Sequence, residues 1–206
     1  MLHLRASTQT FYFTLTSMIQ SLAFGFLLTS INLTTLPTPT YVLQVITTFL
    51  VIVVVWHEYA IGATVVTWVV SLADSLIPFL FGVVEFGLIV ALSRKDLGLV
   101  WWFTALFVFA IISLAALRNQ YRNLSKDDTM KATLELLRPR KWTVYVLISG
   151  VSFLLEAVAV HSARTSGWIP VAMVLASGFT LGYFAFKREI RLYPRVMSQL
   201  EAADRR

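Results

Sequence analysis

Apolar residues run through this chain in six blocks of roughly helical-span length, separated by short polar or proline-broken segments. A bilayer core takes about 20 apolar residues to cross as a helix. The blocks predict spans at 11–33, 41–56, 76–93, 98–117, 142–161 and 168–186. Between the first two, Thr34-Thr35-Leu36-Pro37-Thr38-Pro39-Thr40 breaks the helix twice, because proline lacks a donor N–H and constrains its predecessor. The first block resembles the start of a signal peptide, but no small-residue cleavage site comes after it and further spans do, so a retained span is expected. Residues 57–75 are the ambiguous stretch: apolar enough to be buried, yet holding His57, Glu58 and Asp74. They could extend the second span, re-enter the membrane or lie at the interface.

One long polar segment, 118–141, interrupts the pattern. Ser125-Lys126-Asp127-Asp128 has the spacing of a capping box, and Met130, Leu134 and Leu137 then recur at helical intervals among charged residues. A short amphipathic helix over 125–138, lying against the membrane or a neighbour, is the expectation. The fold class predicted is thus an all-α integral membrane protein: one domain, residues 1–206, of six spans with a cytoplasmic helix between the fourth and fifth.

Composition agrees. The chain is 57% hydrophobic and 14% charged, against roughly 45–50% and about 25% in soluble domains. It has no cysteine, which excludes disulfides and thiolate metal sites. The net charge of +6 would suggest nucleic acid if it were spread evenly, but it is not. With six spans and an inside N-terminus, fourteen Lys and Arg fall on the inner side and three, Arg94, Lys95 and Arg164, on the outer. The positive-inside bias then places both termini in the cytoplasm, of a cell (inner) membrane by expectation, with anionic lipid as a partner of the basic inner face. Trp101, Trp102, Trp142, Trp168 and Tyr41 fall at span ends, where amphipathic rings favour the headgroup region.

The candidate chemistry lies in acids at bilayer depth. Glu85 and Glu156 sit inside predicted spans that contain no Lys or Arg. An ionised carboxylate in hydrocarbon costs several kcal/mol or more, and it normally faces a bundle interior, a cavity or a partner. Asp74 precedes Glu85 by eleven residues, close to the same helix face if one helix carries both. Glu156 could feed His161, a little over one turn beyond, as a proton relay. The bland readings are a carboxyl bonded to a neighbouring helix, an interfacial cap at Asp74 and a solvated His161.

Trp56-His57-Glu58-Tyr59 is the densest polar and aromatic cluster, either an interfacial anchor or a gate where the chain departs from regular helix. Thr10, Thr14, Ser17 and Ser21 share one face of the first span, with Gln20 close by, and Gln44, Thr47 and Thr48 form a similar patch on the second. Such hydroxyls line pores less often than they bond across helices or to their own carbonyls. Gly178 and Gly182 make a GxxxG match. No HExxH, GxSxG or clustered carboxylate motif is present, so neither an enzyme nor a metal or other cofactor site is expected.

In helix count, length and the pair Trp56-His57 near the end of the second span, the chain resembles the compact six-helix potassium channels of the lysosomal type. That family carries an Arg followed by Phe-Ser-Asp in its first helix. Here Arg5 is followed by no such triplet, and TVGYG is absent as well, so membership is not claimed. Two functions remain as expectations. One is a channel or transporter for cations or protons, using Glu85 and Glu156 with Asp74, Glu58 and His57 at the inner mouth and assembling as a homo-oligomer. The other is a non-conducting scaffold, sensor or effector subunit that recruits a cytoplasmic partner through its basic inner face.

Overall fold

A computed structural model describes residues 2–31, 38–65, 72–93, 98–124, 139–163 and 168–183, together with 186 and 198. Among these the regular secondary structure is all helix. The helices are α1 (Leu2–Ser30), α2 (Pro39–Val65), α3 (Leu72–Leu92), α4 (Gly98–Leu124), α5 (Pro139–Ala163) and α6 (Ile169–Tyr183). The first five are long and apolar enough to cross a membrane, and α6 is shorter among the described residues. The expected amphipathic helix over 125–138 lies outside the described residues, as do Arg94, Lys95 and most of the tail.

The helix ends reflect local chemistry. Thr38 caps α2 by accepting the Tyr41 N–H on its hydroxyl at 3.3 Å, and Pro39 takes the first helical position, where its missing donor costs nothing. Pro139 opens α5 in the same way. Pro78 differs from expectation. The apolar pattern puts it in the first turn of the third span, but α3 begins at Leu72 and leaves Pro78 inside the helix. Proline there withholds the donor that would bond the Asp74 carbonyl, which a membrane helix tolerates where neighbouring helices pack around it. The early start also puts Asp74 and Glu85 on one helix. The ambiguous stretch after Trp56 continues α2 as regular helix to Val65.

Side-chain contacts give the relative directions. Phe13 meets Trp56, and Phe24 meets Phe49, with ring centroids 6.5 and 5.8 Å apart, so α1 and α2 run antiparallel. Ile19 lies against Gly82 and Phe26 against Phe86, so α1 and α3 run parallel. Helix α4 packs against both α3 and α5. Helix α2 is met from several sides: Tyr59 stacks edge-on to Phe81 of α3, Thr48 bonds Trp102 of α4, and Thr47 touches Gly178 of α6.

Polar side chains share the interior with an apolar core, and large apolar side chains also face outward. Thr16, Gln20, Gln44, Thr47, Thr48, Glu85, Ser149 and Ser177 are buried, while Leu22, Val83 and Leu155 are each more than 60% exposed. Outward apolar faces of this extent would be a liability in water and are the natural contact with lipid tails. Two interior contacts need glycine. A Cβ on Gly82 would stand 2.7 Å from Ile19 Cγ2, and one on Gly178 would stand 2.7 Å from Thr47 Oγ1. Of the GxxxG pair, then, Gly178 makes a close approach and Gly182 has open space around it. Gly178→Ala is expected to lower stability in detergent by about 1–3 kcal/mol, the usual cost of overpacking, with Gly182→Ala near neutral. Thermal denaturation monitored by circular dichroism would decide between this and a motif whose two glycines matter equally.

Candidate functional site: an embedded carboxyl–amide pair

Glu85 is fully buried, at 0% exposure. It stands about two turns before the end of α3, on the face that also carries Phe81, Gly82 and Leu88. The buried face of α1 opposite it is the stripe Thr16, Gln20, Ala23 and Leu27, whose alternating steps of four and three residues keep one side of the helix turned inward. Because Gly82 has no side chain, Ile19 approaches the α3 backbone closely. Gln20, 5% exposed, then faces the Glu85 carboxyl. Neither carboxyl oxygen of Glu85, nor the amide oxygen or nitrogen of Gln20, makes a hydrogen bond of standard length and angle among the described residues, although the Gln20 amide is the side chain set against the carboxyl. Buried polar atoms in folded proteins almost always have a partner, and leaving one without costs about 1–3 kcal/mol. Four such atoms, on two helices in contact, make this the candidate site.

Glu156 belongs to a different interface. It is half-buried on α5, and its carboxyl accepts a hydrogen bond of 2.8 Å from the Ser177 hydroxyl of α6. Next to Ser177 is Gly178, which touches Thr47. One residue further along α2, Thr48 accepts the Trp102 indole N–H at 3.0 Å. A polar layer therefore links α5, α6, α2 and α4. Both acids stand about two turns from the C-terminal ends of their helices, Leu92 and Ala163.

The other predicted candidates fall elsewhere. His161 is exposed, and five residues along a regular helix turn it about 140° from Glu156, so the two do not form a relay along one face. His57 and Glu58 are half-buried on α2, where the helix continues unbroken and keeps them on diverging directions. The backbone of Asp74 is placed on α3, while its side chain lies outside the described residues. Trp102, expected at the membrane interface, is instead fully buried and bonded to Thr48, whereas Trp101 and Trp168 are exposed.

The hydroxyl face of α1 resolves toward the bland reading: Thr14 donates to the Thr10 carbonyl at 2.8 Å and Ser21 to that of Ser17 at 2.7 Å, both on the exposed side. Such back-bonding satisfies a hydroxyl within its own helix. Gln20, noted in the sequence only as a neighbour of that face, is the residue the hydroxyl pattern obscured. The signal was available in its being the one amide side chain between Phe11 and Ile31. Among the described residues, no three His, Asp or Glu side chains converge as metal ligands. Comparison with protein-family models, with curated proteins and with solved structures finds no match to this chain.

The opposition of amide and carboxyl has an energetic signature. A double-mutant cycle of Gln20→Leu with Glu85→Met on detergent unfolding curves measures it: a coupling of about 0.5–3 kcal/mol is expected for side chains in contact, and strictly additive effects would show that the two do not act on each other.

Proposed function

We propose that this chain transports protons or other small cations across the membrane, with Glu85 as the embedded acid. The observation that carries the reading is the fully buried Glu85 carboxyl with both oxygens unpaired, facing an equally unpaired amide. A group so costly to bury is retained for packing only at a loss of stability, whereas a passing positive charge would match it. Spans that carry acids and no bases favour cations over anions. Glu156 is the second embedded acid, and Asp74, Glu58 and His57 lie toward the opposite ends of their helices, at the inner mouth. In this reading α6 completes a sixth span, both termini are cytoplasmic, and the protein sits in the cell membrane, where a single short unit of this kind works as a homo-oligomer.

Reconstituted into liposomes, the wild-type protein is expected to pass protons or monovalent cations, with Glu85→Gln reducing the flux at least tenfold and Glu156→Gln reducing it less. Absence of flux for every ion tested, with loss of co-purifying protein on charge reversal of Lys126, Lys131 and Arg138, would replace transport with partner recruitment. The orientation has its own check, helped by the absence of native cysteine. Single cysteines at Ser125 and Ser198 should react with an impermeant maleimide only after the cells are opened, and one at Ser166 in intact cells. The reverse pattern would invert the topology.

A further inference from the structure

The Gln20–Glu85 pair selects among the ions that the proposed function allows, and the biological meaning of that selection rests on that function. We infer that the species held between α1 and α3 is a single proton, bound as a reciprocal pair between the Glu85 carboxylic acid and the Gln20 amide. The reason lies in the number of donors and acceptors. A carboxylic acid offers one O–H and one carbonyl oxygen, and a primary amide offers an N–H and a carbonyl oxygen. Placed face to face, the acid O–H donates to Gln20 Oε1 and the amide Nε2–H donates to the other Glu85 oxygen. One proton thus allows a partner for all four atoms, once side-chain rotation brings the amide and the acid, unbonded to each other here, into hydrogen-bond reach.

The alternatives satisfy fewer. With the carboxylate ionised and nothing bound, the amide nitrogen can donate, but Gln20 Oε1 is left facing a negative charge. A dehydrated metal ion would receive two carboxylate oxygens and one amide oxygen and would leave Nε2 with nothing to donate to. Three oxygens are also few for hard cations: calcium takes six to eight and magnesium a near-octahedral set. Water-filled surroundings could complete such a shell, but Glu85 is fully enclosed and Gln20 nearly so.

The charged and titratable groups of the surrounding helices are placed as follows. On α2, Tyr59 meets Phe81, one turn from Glu85, with ring centroids 6.1 Å apart, and His57 and Glu58 precede it on the same helix. On α4, Arg118 and Arg122 belong to the last turns, far along the helix from Trp102. Helix α1 presents Gln20, with His3 and Arg5 confined to its first turns. On α3 itself, Asp74 is three turns away. Binding forms an O–H bond on Glu85. Release breaks it, leaves the carboxylate and passes the proton to water at whichever end of α1 and α3 opens.

Infrared difference spectroscopy on the wild-type protein, titrated between neutral and alkaline pH in H2O and D2O, tests this directly. A deuterium-sensitive carboxylic C=O band is expected, lost in Glu85→Gln, kept in Glu156→Gln, and shifted in Gln20→Leu by removal of the amide partner. Liposome flux measured in parallel separates this inference from the transport reading. The band without flux of any ion upholds the proton pair and sinks transport. Glu85-dependent sodium or potassium flux without the band upholds transport and overturns the proton pair. The wild-type band does not depend on any variant folding, so its absence over the whole titration also overturns the pair.

Discussion

The cost of removing a polar group from water governs this molecule throughout. In a bilayer, backbone N–H and C=O groups have no solvent to bond, which leaves the helix as the available form for each span. Side chains meet the same demand. The exposed hydroxyls of α1 return to their own carbonyls, Trp102 turns inward to reach Thr48, and Ser177 donates to Glu156. Beside these bonded groups, the carboxyl of Glu85 and the amide of Gln20 make no hydrogen bond of standard geometry.

The packing makes this juxtaposition possible. Gly82 lets α1 approach α3 so closely that an added methyl would collide with Ile19, and Gly178 does the same for α6 against Thr47 of α2. With little hydrophobic drive between helices in lipid, close approach supplies van der Waals contact in its place. The two acids stand at separate seams, Glu85 between α1 and α3 and Glu156 between α5 and α6. Helix α4 packs on both α3 and α5 and so ties the two seams together.

Much of this was legible in the sequence and some was not, for reasons that divide cleanly. Five of the apolar blocks appear as helices long enough to span, because hydropathy over a window is additive and local. Boundaries were harder where polar residues sit on a helix whose other faces are apolar. Trp56 reads as a stopping point, yet α2 runs on to Val65, and Asp74 reads as a cap, yet it is helical. Trp102 reads as interfacial because sequence position gives depth along a span and says nothing about direction around it.

The all-helical class, five long apolar helices and the presence of two acids within them could be read from the chain alone, since each depends only on how many apolar residues stand in a row. The direction in which those residues face came from the packing of one helix on another. Thr14 and Gln20 are six residues apart in one span, but rotation about the helix axis turns one outward and the other toward Glu85. That rotation is set by Gly82 and the aromatic contacts across α1, α2 and α3, which bring together residues distant in the chain. The pairing of an amide with a carboxyl is a property of the seam between two helices and is written in neither of them alone.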